Sequence, residues 1–173
     1  SVRDSAAYLD LVSGNIKNND FFINPAKNTY HFSATHDEKK LKIGLITEAP
    51  TKTNVHEKCI KAANVAAGYC ESLGHEIEPT QWNFDGRELM RAFLTVVFSY
   101  TSRDVHNMAT NLGIVAKEMD IELNTRFMSL VGDGISKGEV QKSLKVWSRA
   151  SLKLSELYKK YDVILTPTVA TEP

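Results

Sequence analysis

Apolar residues recur at helical spacing at Val2, Ala6, Leu9 and Val12, behind a Ser1 and Asp4 pair with the form of a capping box and ahead of Gly14, a natural stop. Residues 1–14 are therefore predicted as an amphipathic helix. Residues 15–40 are polar and irregular, hold Pro25, His31 and His36, and read as a surface loop. At 41–46 the run Leu-Lys-Ile-Gly-Leu-Ile has the length and composition of a buried strand. A turn over 47–53 leads to Asn54, the expected N-cap of a helix whose apolar stripe is Val55, Cys59, Ala63, Ala66, Cys70 and Leu73. Gly74 closes that helix and residues 75–78 form a short strand ended by Pro79. Strand, helix and strand over 41–79 make a βαβ unit, which requires parallel strands.

The second half is helical. Asp85 with Glu88 opens a helix carrying Leu89, Ala92, Phe93, Val96, Val97 and Tyr100, expected to be mostly buried, and a weaker signal continues over 103–111. Periodicity fades between residues 119 and 133. Ser136 with Glu139 then forms a second capping box before Val140, Leu144, Trp147, Leu154 and Tyr158, predicting a long helix to about Lys160. Val163, Ile164 and Leu165, bounded by Pro167, have the mark of a buried parallel strand over 162–166. The fold class is thus α/β, a partial and mainly parallel sheet with flanking helices. Such a strand needs neighbours on both sides, and the first helix opens at residue 1. The expectation is a single α/β fragment, residues 1–173, of a larger domain, able to self-associate through its exposed sheet edge.

Composition narrows the partners. The 173 residues carry 21 Lys and Arg against 21 Asp and Glu, so no basic excess exists to neutralise a phosphate backbone, and nucleic acid is not expected as a partner. The longest run without Asp, Glu, Lys or Arg, residues 105–116, is far shorter than the roughly 18 apolar residues of a membrane span, so no membrane partner is expected. Cys59 and Cys70 lie eleven residues apart on one predicted helix, a rise of roughly 16 Å. A disulfide needs Cα atoms within roughly 7 Å, so the pair is expected to be unbridged and buried on one face. With no Asn-x-Ser/Thr sequon and no secretory pattern in these residues, a reduced, cytoplasmic protein is expected.

Candidate chemistry is sparse. Gly134-Ile135-Ser136-Lys137-Gly138 is a literal G-x-S-x-G, the form of a hydrolase nucleophile elbow. That elbow joins a strand to a helix and is followed in the chain by its acid and its His, whereas all five histidines, at 31, 36, 56, 75 and 106, precede Ser136. A helix N-cap accounts for Ser136. His31, His36 and Asp37 lack the spacing of a helical metal site and a third strong ligand. The turn after the first strand has no glycine and carries Glu48, which disfavours a phosphate loop, and no Ser-x-x-Lys pair occurs. No metal or cofactor is expected.

Three segments resemble the amidase signature family, whose members hydrolyse or transfer amides. Residues 1–11, Ser-Val-Arg-Asp-Ser-Ala-Ala-Tyr-Leu-Asp-Leu, resemble the helix that follows a Gly-Pro-x-x-Arg turn there. The Lys42-Ile43-Gly44-Leu45-Ile46 strand and the helix ending Leu73-Gly74-His75-Glu76-Ile77 resemble the family's second segment. Tyr161-Asp162-Val163-Ile164-Leu165-Thr166-Pro167-Thr168 is similar to its Tyr-Asp-Val-Leu-Leu-Thr-Pro-Thr strand, the most specific of the three. The resemblance implies an amide hydrolase acting through a Lys and two Ser that lie upstream in a Gly/Ser-rich stretch. No position here matches that stretch, so no catalytic residue is assigned within the chain. It leans toward bacterial amidases, with amidotransferase A subunits as the alternative, and implies a small-molecule amide substrate for the parent.

Ligand crevices of open α/β sheets lie at the carboxyl ends of the strands. Thr47, Glu48, Thr166, Pro167 and Thr168 are therefore the candidate substrate-facing positions, against the plainer reading of turn chemistry around Pro50 and Pro167. The rival from another class is a self-contained, non-catalytic binding module of flavodoxin-like type.

Overall fold

The computed structural model describes residues 1–13, 28–36, 39–118 and 120–172. They fall into two compact units, Ser1–Lys40 and Leu41–Pro173. In the first unit, Ser1 caps helix α1 (Val2–Val12): its Oγ accepts the Asp4 N–H while the Asp4 carboxylate accepts the Ser1 amine, the reciprocal pairing of a capping box. Gly14, the expected stop, lies outside the described residues. Residues 30–36, expected as loop, form helix α2 (Tyr30–His36). Its first N–H groups are accepted by the Asp10 carboxylate, from Tyr30 at 2.6 Å and His31 at 3.0 Å. The carboxylate that satisfies these otherwise orphaned donors stands twenty residues upstream, beyond the reach of local pattern.

The second unit is built on a three-stranded parallel sheet in the order β2-β1-β3, with β1 (Lys42–Leu45) central, β2 (Glu76–Pro79) on one side and β3 (Val163–Leu165) on the other. Lys42 stands opposite Glu76, and Ile43 stands opposite both Ile77 and Val163. Helix α3 (Glu57–Ser72) connects β1 to β2 as the βαβ pattern requires. It starts two residues later than expected: His56 rather than Asn54 is the N-cap, its Nδ1 accepting the Lys58 N–H. The His56 N–H is itself donated to Ala170 O at 2.8 Å, which fixes where the helix begins. At the other end Gly74 takes φ +84°, Gly74 N–H reaches Glu71 O and His75 N–H reaches Cys70 O, a complete Schellman closure. The buried face of α3 is Ala63 and Ala67, so Leu73, 65% exposed, leaves the predicted stripe. Cys59 and Cys70 are unbridged but only half-buried.

Helix α4 (Gly86–Leu112) is one continuous element of 27 residues, capped by Asp85 and ended by left-handed Gly113. It is not mostly buried. One stripe, Ala92, Val96, Ser102, Val105 and Ala109, is covered, while Phe93, Leu94, Tyr100 and Met108 are exposed. Helix α5 (Leu123–Asp133) occupies the stretch in which periodicity faded. It faces α4 with Ser129 and Gly132, and a Cβ on Gly132 would stand 2.1 Å from Phe98 O. A face of small residues buries without an apolar stripe to announce it. Helix α6 (Lys137–Lys160) begins at the expected capping box, Ser136 with Glu139, and packs on α4 with the Phe93 and Trp147 rings stacked at 5.9 Å. Its partly covered side includes Val140, Trp147 and Leu154, whereas Leu144 and Tyr158 are exposed. Strand β3 is less enclosed than its sequence suggests: Val163 is 42% exposed, because no strand flanks its outer edge among the described residues.

Tyr161, 1% exposed, joins α6 to the sheet. Its ring lies over Gly44, where a Cβ would meet Ile164 Cδ1 at 2.9 Å and Tyr161 Cδ2 at 3.0 Å. Its hydroxyl donates to Glu78 Oε1 at 3.0 Å. Glu78 also receives Lys160 Nζ and Lys42 Nζ, the latter at 3.1 Å. Those three donors, Lys160 foremost, hold the Glu78 carboxyl down to about 2.

Two glycine substitutions are expected to have opposite signs. Gly132→Ala must push α5 off the α4 backbone and should cost about 3 kcal/mol, the upper end of ordinary overpacking. Gly68→Ala, mid-helix with nothing within 4 Å of its Cβ, should stabilise by about 0.5–1 kcal/mol. Urea unfolding of both at pH 7 measures the pair. For Glu78, a carboxyl depressed in the fold contributes stability that is fully present above its unfolded value near 4.5 and is lost as pH falls from there toward 2. Glu78→Gln should flatten that acid limb in urea midpoints taken across this window; an unchanged limb would show that the cluster contributes nothing to acid stability.

Candidate functional site at the strand ends

Pairing runs one residue past the strands, with Ile46 N–H donating to Leu165 O and Thr80 N–H to Leu45 O, each at 2.9 Å. The chain therefore leaves β1 and β3 side by side. Residues 48–50 and 166–170, with Val55, bound a depression of about 110 Å³ at the carboxyl end of the sheet. Glu48, Thr166, Pro167 and Thr168 line it together, and Thr47 is not part of the lining.

Two features that sequence reasoning missed shape this place. The indole N–H of Trp82, on the loop after β2, donates to Glu48 O at 3.0 Å and fixes the turn. The tail after β3 is bound to the start of α3 by the backbone bond from His56 to Ala170 and by Glu172, whose carboxylate meets Lys58 Nζ at 2.7 Å. Both link positions far apart in the chain. The exposed Glu48 carboxylate can accept from a polar ligand and the Thr168 hydroxyl can accept or donate, while the Thr166 hydroxyl donates to Pro167 O at 3.3 Å and offers its oxygen as an acceptor. The lining contains no imidazole or amine that could draw a proton from a hydroxyl.

Ser, His and Asp do meet elsewhere, between α4 and α5. Ser102 Oγ donates to Asp133 Oδ1 at 2.5 Å, and His106 Nε2 lies 2.9 Å from the same oxygen. In a hydrolytic triad the histidine touches the serine and the acid orients the histidine. Here both converge on the acid, and Ser102 is buried. The Ser102 hydrogen bond first, then His106, keeps the Asp133 carboxyl below the usual carboxylate range, as expected of a tie between helices. Ser136 sits in the turn between α5 and α6, spent on capping α6, which removes the strand-to-helix setting its G-x-S-x-G motif would need. Among the described residues no group of three His, Cys, Asp or Glu could hold a metal ion, and no helix is long and apolar enough to cross a membrane.

Comparison with solved structures places the fold. A 6-aminohexanoate cyclic dimer hydrolase complexed with substrate aligns over 99% of this chain and 36% of its own, with a TM-score of 0.86 at 23% identity. A bacterial aryl acylamidase of the amidase signature family aligns over 100% and 36%, with a TM-score of 0.85 at 17% identity. The fold is that of amidase signature enzymes. The Amidase family model matches residues 1–173, and the chain belongs to that family. Among curated relatives, the 6-aminohexanoate-cyclic-dimer hydrolase of Pseudomonas sp. (strain NK87) is 28% identical over 124 residues, 70% of this chain and 25% of that protein. The Lipoamidase of Enterococcus faecalis is 25% identical over 140 residues, 79% of this chain and 19% of its own length. The chain thus spans a quarter or less of the curated relatives it matches. Family membership decides against the flavodoxin-like module.

Ser102→Ala should destabilise the α4 and α5 pairing by about 1–2 kcal/mol, the worth of a hydrogen bond to a charged group that keeps its second partner. It should also raise the Asp133 carboxyl. Because that carboxyl is depressed in the fold, its contribution is present above the ordinary carboxylate value and lost below it, so the variant should lose less stability on acidification than the parent chain. Urea midpoints at pH 7 and pH 3 report both effects.

Proposed function

We propose that this chain is the C-terminal-side supporting part of an amide C–N hydrolase. In the whole enzyme a Ser-Ser-Lys centre, lying upstream of Ser1, attacks the carbonyl and expels the amine. The observation that carries the proposal is the Amidase family match along all 173 residues, in a chain whose Ser102 and Ser136 hydroxyls are spent on the carboxylates of helix packing and capping. The sheet then supplies a rigid floor, and its strand ends, with Thr47, Glu48, Thr166 and Thr168, face the substrate, as ligand crevices of open α/β sheets do. The substrate class is a linear or cyclic amide of small-molecule size, in keeping with relatives named for a cyclic amide dimer. The unbridged thiols of Cys59 and Cys70 fit a cytoplasmic enzyme.

The 173-residue chain, incubated with simple aliphatic and aryl amides, is expected to give no turnover above buffer. The protein read from the full coding sequence is expected to turn them over and to lose activity when serines of its Gly/Ser-rich stretch are replaced by Ala. Turnover by the short chain that disappears in Ser136→Ala or Ser102→Ala would sink the proposal.

A further inference from the structure

His56 stands where the turn after β1 becomes α3, and one atom of its ring has two partners. Its Nδ1 lies 3.3 Å from the Lys58 N, whose N–H it accepts as the cap of α3, and 3.2 Å from Glu172 Oε1 on the tail after β3. The two contacts require opposite states of that atom. Accepting the amide proton needs the lone pair on Nδ1, whereas meeting the carboxylate needs a proton there. The remaining bonds of the junction do not compete for it: His56 N–H donates to Ala170 O at 2.8 Å, and Lys58 Nζ holds the other carboxylate oxygen of Glu172 at 2.7 Å. Among the described residues no other carboxylate comes within ion-pair distance of the ring, and Lys58 is the cation that shares Glu172 with it. Both side chains are half-exposed, so a proton from solvent reaches the ring without any opening of the fold.

The segment that this choice governs borders the strand-end depression. Residues 166–170 line it, and so does Val55, the residue before His56. We propose that His56 is a proton-operated latch between the tail and α3. With the ring neutral, the Nδ1 lone pair caps α3, and the tail is held by the Ala170 bond and by Lys58. With the ring protonated, Nδ1–H donates to Glu172, the Lys58 N–H loses its cap, and the Glu172 carboxylate is gripped by His56 and Lys58 together. A contact made only by the charged ring is present at the acid side of the histidine titration and is lost as pH rises through it, while the cap runs the other way. Imidazole changes charge between pH 5 and 8, so the exchange takes place there. The latch stands whatever chemistry the depression serves.

The 173-residue chain, labelled with 15N, serves for the test, because the latch needs no substrate. Ring nitrogen signals of His56, the Lys58 amide signal and the exchange protection of the His56 N–H are followed from pH 8 to pH 5, the last corrected for the intrinsic pH dependence of amide exchange. At pH 8, Nδ1 is expected to carry no proton. On acidification Nδ1 should gain one, the Lys58 amide signal should move with the same midpoint, and protection of the His56 N–H should rise about threefold, as one added exposed ion pair allows. Glu172→Gln should abolish the rise in protection and keep the movement at Lys58. His56→Asn, a side chain that caps without titrating, should abolish both and leave the helical circular dichroism unchanged. A proton on Nδ1 already at pH 8, a Lys58 signal indifferent to pH, or a rise in protection that survives Glu172→Gln overturns the latch.

Discussion

Where a side chain would stand on Gly44, at the centre of the middle strand, the ring of Tyr161 lies instead. That ring comes from the residue linking α6 to β3, and its hydroxyl reaches across to Glu78 on β2. A single buried side chain thus touches all three strands' territory and sets the distance between the end of α6 and the sheet. Backbone bonds beside it complete the junction: Asp162 N–H donates to Lys42 O, and Lys42 N–H to the Asp162 carboxylate. A Cβ at 44 would crowd the ring and the Ile164 and Thr80 side chains at once, at 2.9–3.0 Å.

The two ends of the sheet are treated differently. At the start of β1, Lys42, Glu76, Glu78, Lys160 and Asp162 interlock, so the charges there are spent on one another. At the carboxyl end the chain opens into hydroxyls and an exposed carboxylate, with the Trp82 indole and the Glu172 pair holding the loops in place. One end is closed by electrostatics, and the other is left able to meet a ligand.

What could be read from the sequence followed from how local each signal is. The βαβ unit, the long α6 and the β3 strand announce themselves through apolar runs, the Ser136 and Glu139 box, and Gly74. Two helices did not. α2 takes its N-terminal carboxylate from Asp10 in another element, and α5 docks through Ser129 and Gly132, whose smallness is the point of contact. α4 is less buried than expected because Phe93 and Tyr100 look like core residues yet keep about two fifths of their surface exposed. At the candidate site the strand-end rule proposes Thr47, Glu48, Thr166 and Thr168 from chain direction alone, and the structure gathers Glu48, Thr166 and Thr168 around one depression while leaving Thr47 outside its lining. Trp82, His56 and Ala170 escaped it because their contributions are long-range bonds to backbone atoms, for which no residue pattern exists.

The route of the chain between its strands has a further consequence. β1 meets β2 across a separation of 34 residues, measured at Leu41 and His75, but meets β3 across 120, measured at Lys42 and Asp162. The entropy of closing a loop grows only with the logarithm of its length, so the longer closure costs about 1 kcal/mol more than the shorter. The helical excursion of α4, α5 and α6 is therefore nearly weightless to the sheet as far as its length is concerned. Its length is set instead by the packing of its helices on one another, as where Gly132 of α5 meets Phe98 O of α4.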